Sequence, residues 1–188
     1  YGKGNKRLLK KIKETDPALV LIGGDMLVGK KGKSYGSALD FVRELAGQFP
    51  VYYANGNHEQ RLKEMPERYG DVYAQYKEEL EAAGVHFLEN SSQELFCGGC
   101  KFRLTGLEIP AECYSHFRKV RMPEGAIEER IGEAKAADYE ILLAHNPTYM
   151  EEYLEWGADL VLSGHLHGGI VRLPGVGGAL SPAFSLFP

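Results

Sequence analysis

The sequence predicts an α/β fold, a layered α/β/α sandwich on a mostly parallel central sheet, in a single domain spanning residues 1–188. Two observations predict it. Short continuous apolar runs alternate with segments whose apolar residues recur at helical spacing, as expected for a sheet buried on both faces. Four of those runs also end in Asp, Asn or His, at the carboxyl edge where open α/β sheets place their ligands.

The elements follow in order. Residues 5–14 set Leu8, Leu9 and Ile12 at helical spacing among Lys and Arg, which reads as an amphipathic helix with a solvated basic face. Pro17 ends it, and ALVLI (18–22) is a buried strand. Ser37 caps a second helix that carries Ala38, Phe41, Val42, Leu45 and Ala46 on one face and closes at Gly47. VYYA (51–54) is the next strand. A loop rich in charge leads to a helix over 66–83, with Val72, Tyr76, Leu80 and Ala83 in line and Gly84 as its cap. VHFL (85–88) is a short strand.

Gly98 and Gly99 within CGGC (97–100) make a two-residue hairpin turn, although a C-x-x-C also admits a labile cross-strand disulfide or half of a zinc site. A polar loop and a helix over 126–137 follow, then the strand EILLA (140–144). Asn146 and Pro147 supply the N-cap and first turn of a helix ending at Gly157, and ADLVL (158–162) is the last clear strand. From Leu173 onward the chain is rich in Gly and Pro and reads as loop.

Composition narrows the function. A net charge of −4 argues against a nucleic-acid surface. No apolar run approaches the roughly 20 residues of a membrane helix. Three cysteines without framework spacing suit a reducing compartment.

The polar residues at the strand ends carry the chemistry. ALVLI runs into GGD, VYYA into NGNHE, EILLA into HNP and ADLVL into SGHLHGG. His165 and His167, two apart on extended backbone, point the same way and can serve one site. Taken singly, Asp25 could cap a turn, Asn57 sit in a left-handed loop and His145 be a core histidine. In series they place four of the six histidines at strand ends, which chance does not explain. His86 and His116 fall outside the pattern and read as structural. Asp, Asn and His converging without cysteine describe a divalent-metal site for Mn, Fe or Zn. Asp25, with two carboxylate oxygens, is the natural bridge between two ions.

GGD at 23–25, GNHE at 56–59, His145 and GHLH at 164–167 resemble, in order and spacing, the motifs of calcineurin-like metallophosphoesterases. The LSGHLHGG stretch and its tail resemble a bacterial branch of small phosphodiesterases that includes enzymes acting on lipid-linked or diphosphate substrates. The resemblance implies a dinuclear centre bridged by Asp25, with Asn57, His145 and His165 completing one ion and His167 serving the other. It implies that metal-bound hydroxide attacks phosphorus in a phosphodiester or diphosphate, clamped between cations about 3.5 to 4 Å apart. His58 then acts at the leaving group as general acid or as positive charge. Glu59 orients His58 or caps the following helix, and Arg61 contacts phosphate or forms a surface salt bridge.

The family's first motif, Asp-x-His on a strand before the first helix, is not in the chain. The expectation is therefore a domain truncated at both ends, lacking that first strand and the strands after the GHLH loop. The alternative is a short form that holds a single metal or a phosphorylated ligand and catalyses poorly. The implied partner is a phosphorylated small-molecule or lipid-linked substrate, with a membrane reached only through a segment outside this chain. The implied location is the cytoplasm or the cytoplasmic side of a membrane. Residues 112–125, with Tyr114, His116, Phe117, Arg118, Lys119 and Arg121, form a basic lip over the site or a solvated loop. A zinc peptidase fits less well, because no H-E-x-x-H is present.

Overall fold

The computed structural model describes residues 5–115, 120–135 and 139–166, and the backbone of 171–173 and 177–180. The first half alternates helix and strand: α1 (Lys6–Thr15), β1 (Val20–Ile22), α2 (Gly36–Ala46), β2 (Val51–Tyr53), α3 (Asn57–Glu64), α4 (Pro66–Tyr69), α5 (Val72–Glu81) and β3 (Val85–Phe87). A hairpin of β4 (Ser91–Cys97) and β5 (Cys100–Leu107) follows, then α6 (Glu128–Ile131), β6 (Tyr139–Ala144), α7 (Met150–Trp156) and β7 (Leu160–Leu162). Strands β8 (Val171–Leu173) and β9 (Gly177–Leu180) pair antiparallel.

The α/β class holds, and its strands divide between two main sheets. β1, β2 and β3 form one parallel sheet, while β4 to β7 form a second in which only β4 runs antiparallel to its neighbour. Period-two alternation places the two faces of each strand. In the first sheet Val20, Ile22, Val51 and Tyr53 join a core with Leu9 of α1, Phe41 of α2 and Tyr76 of α5. In the second, Leu142 and Ala144 pack with Tyr153 and Trp156 of α7. The remaining faces meet each other: Leu21 and Tyr52 from one sheet, Leu104, Ile141 and Leu143 from the other, form a shared inner core. The layers are therefore helix, sheet, sheet, helix. No helix among the described residues is long and apolar enough to cross a membrane.

Several elements differ from expectation, each for a local reason. The helix over 66–83 is two, α4 and α5, because Gly70 takes φ 71° and closes the first turn. Gly132, also at φ 71°, stops α6 after four residues of the expected 126–137. Ser37 lies inside α2 rather than at its cap; Tyr35 holds the cap position and the Ser34 hydroxyl accepts from the Gly36 N–H at 3.2 Å. The charged loop after β2 is α3, whose buried residues are mostly polar and so carry no apolar period. The tail expected to be loop holds β8 and β9, so strands do follow the GHLH loop.

Elsewhere the expectations match. Asn146 accepts from the Thr148 N–H at 3.1 Å, and Gly157 closes α7 in the left-handed region. Gly98 and Gly99 both have positive φ and bring Cys97 opposite Cys100, each with a free thiol. His86 stacks on Tyr52, while His116 lies outside the described residues.

Candidate metal centre

The carboxyl ends of β1 and β2 in one sheet face those of β6 and β7 in the other. Residues from both sides converge there. Asp25, His145 and His165 each offer one ligand atom, and these atoms lie within 4.8 Å of one another. Asn57 joins them through its Oδ1, 3.1 Å from His165 Nδ1. His145 and Asn57 are buried, Asp25 and His165 partly so.

Backbone packing explains the glycines of the motifs. Gly24 has φ 93°, and a Cβ there would meet the Gly56 nitrogen at 2.2 Å. A Cβ on Gly56 would meet Asp25 Oδ1 at 2.3 Å. The GGD and NGN loops thus pack main chain on main chain, which brings the Asp25 carboxylate to the start of α3. Asp25 (φ 57°) and His165 (φ 64°) themselves hold left-handed backbone, a conformation costly for side chains of this kind and stable only when the surroundings impose it.

Glu59 imposes it on Asp25. It is fully buried, and its two carboxylate oxygens accept from the Asp25 and Leu27 N–H groups at 2.8 Å, the Tyr53 hydroxyl at 2.8 Å and the Gly56 N–H at 3.1 Å. These contacts cap α3, in which Glu59 itself stands at the third position, rather than the helix expected over 66–83. It also grips the loop after β1, a role for which the sequence carried no signal.

His145 has a defined tautomer. Its Nδ1 lies 2.6 Å from the Gly23 carbonyl, which can only accept, so Nδ1 carries the proton. Nε2 then lies buried 3.0 Å from Asp25 Oδ2, at ion-pair distance, and has no other partner among the described residues. An imidazole lone pair facing a carboxylate oxygen requires positive charge between them. Accordingly, burial lowers the His145 pKa but Asp25 more than offsets this and raises it above the ordinary value. Burial pushes the Asp25 carboxyl up, yet His145 and the His58 N–H outweigh it and hold it below the usual range. An oxygen and nitrogen donor set with an orphaned buried Nε2 fits a divalent cation.

His58 stands at the second residue of α3. Its Nδ1 accepts from the Gly29 N–H at 2.7 Å, which leaves the ring proton on Nε2. An imidazolium would have to give up that bond, so the geometry suits a neutral Nε2–H donor better than a fixed positive charge. Arg61, one turn beyond Asn57, lines a cavity beside the cluster, and its guanidinium makes no hydrogen bond or ion pair among the described residues. His167 lies outside the described residues, as do His116, Phe117, Arg118 and Lys119 of the expected lip.

A second polar cluster, which sequence reading missed, joins the sheets behind the centre. Glu108, after β5, accepts from Lys63 Nζ at 2.8 Å and from Asn55 Nδ2 at 2.7 Å. Asn55 also reaches Glu89, after β3, which pairs with Lys63 and Lys77. These residues are dispersed over the sequence, and no spacing rule connects them.

Known proteins resemble this chain in sequence. The chain is 29% identical over 167 residues to the uncharacterized protein YpbG of Bacillus subtilis, covering 88% of this chain and 56% of that protein. It is 28% identical over 172 residues to the phosphodiesterase YaeI of Escherichia coli, covering 90% and 56%. It is 25% identical over 181 residues to the uncharacterized metallophosphoesterase YkuE of Bacillus subtilis, covering 95% and 57%. The chain thus spans little more than half the length of these relatives. No solved structure gives a significant match. The sequence model of calcineurin-like phosphoesterases matches residues 3–169, which takes in every strand end that supplies the centre, and the chain belongs to that family.

Proposed function

We propose that this domain hydrolyses phosphodiesters at a divalent-metal centre held by Asp25, Asn57, His145 and His165. The observation that carries the reading is the convergence of Asp25, His145 and His165, from two sheets, with ligand atoms within 4.8 Å. Bound there, divalent cations supply Lewis acidity toward phosphoryl oxygens and a nucleophile at neutral pH. Family membership and the phosphodiesterase name of a relative support phosphoester hydrolysis.

The chain's own residues divide the remaining work. His145, its tautomer fixed by the Gly23 carbonyl, directs Nε2 at the site. His58, with Nδ1 occupied by the Gly29 N–H, offers Nε2–H to the leaving-group oxygen. Arg61 supplies a cation for the phosphoryl oxygens. His167 is assigned to a second ion, which would make the centre dinuclear with Asp25 between the two. The substrate is a phosphorylated small molecule or a lipid-linked phosphoester.

Hydrolysis of bis(p-nitrophenyl) phosphate with added Mn tests the reading. Wild-type protein is expected to turn it over, and Asp25→Asn and His145→Ala each to lower kcat/KM by at least about a hundredfold. Unchanged rates in both variants would sink it.

A further inference from the structure

A cavity of about 120 Å³ adjoins the metal cluster, with Asn57 in its lining, so any group esterified to a phosphorus held at the centre lies beside it. The Tyr114 ring, which also lines it, has its centroid 5.6 Å from that of His165 and 6.4 Å from that of His145. Tyr114, Met65 and Ala111 give the cavity flat, apolar walls.

Its polar lining is held in place. Gln60 is 5% exposed, and its Nε2 donates to Glu64 Oε1 at 2.7 Å and to the Ile109 carbonyl at 3.0 Å. Arg61 and Glu64 add charge to the lining, and apolar walls with a few polar groups are the usual make-up of a small-molecule subsite. An apolar cavity of about 150 Å³ takes benzene, so this volume suits one ring whose polar edge stays near solvent.

We propose that this cavity is the subsite for the organic group on phosphorus, and that it selects a single-ring ester group. Tyr114 packs on the ring and Arg61 meets the phosphoryl oxygens. The proposal rests on the phosphoesterase reading but is measurable apart from it.

Calorimetric titration of the protein, with and without Mn, by methylphosphonate and phenylphosphonate tests the subsite. The expected result is phenylphosphonate bound at least about tenfold more tightly than methylphosphonate. Tyr114→Ala, which removes the wall, and Ala111→Phe, which fills the cavity from an exposed position, each bring the ratio close to one. Equal affinities for the two ligands, no binding of either, or a ratio that survives in both variants would overturn the proposal. A ratio that stands as expected without hydrolysis of bis(p-nitrophenyl) phosphate supports the subsite and sinks the catalytic reading alone.

Discussion

Asp25, the metal ligand proposed above, holds a left-handed conformation, and the residue that keeps it there is Glu59. One carboxylate without solvent takes four donors from β1's loop, β2 and the start of α3. Removing it would strand three main-chain N–H groups and a tyrosine hydroxyl, each costing about 1 kcal/mol or more. Glu59→Ala is therefore expected to lose at least about 3 kcal/mol of stability in urea denaturation and to bind Mn more weakly. That Asp25, His145 and His165 come together was legible in the sequence, since strand ends in an α/β fold converge at one edge. Glu59 was less legible, because α3 itself was read as loop, and its hold on a loop 34 residues away depends on tertiary packing.

At the scale of elements, the apolar period found α1, α2, α7 and the buried strands, but it did not register where a helix stops. Gly70 and Gly132 each interrupt a pattern that otherwise continues, and both do so by adopting φ 71°. Neither has a neighbouring atom that a Cβ would strike, so the constraint is conformational alone. Gly70→Ala should thus destabilise the protein by about 1 kcal/mol by thermal or chemical denaturation, not rescue a longer helix. The opposite error occurred at α3, where Asn57, Glu59 and Gln60 are buried because they build the site. A functional helix of polar residues leaves no hydrophobic stripe to read.

For the whole molecule, sequence periodicity gave the α/β class but could not tell one covered sheet from two stacked ones. A strand buried between sheets carries the same apolar run as one buried between helices. What holds the stacked sheets in register near the centre is the inner core together with the Glu108, Lys63, Glu89 and Lys77 cluster. Burial pushes the Glu89 carboxyl up, but Lys77, Tyr73 and Lys63 outweigh it and hold its pKa down at about 2, against an ordinary 4.5. Because the folded value is depressed, the stabilisation is present above about pH 4.5 and is lost as the pH falls toward 2. It amounts to something on the order of 3 kcal/mol. Acid unfolding should show it: Glu89→Gln is less stable than wild type at neutral pH, and the gap narrows steadily through that window.

The account centres on a metal site assembled from both sheets. Metal content by mass spectrometry, on protein equilibrated with Mn and freed of excess, addresses it most directly. The prediction is at least one equivalent in wild type, lost both in Asp25→Asn, which alters the first sheet's ligand, and in His145→Ala, which removes the second's. Wild-type protein that retains no Mn, or full occupancy in either variant, would contradict it.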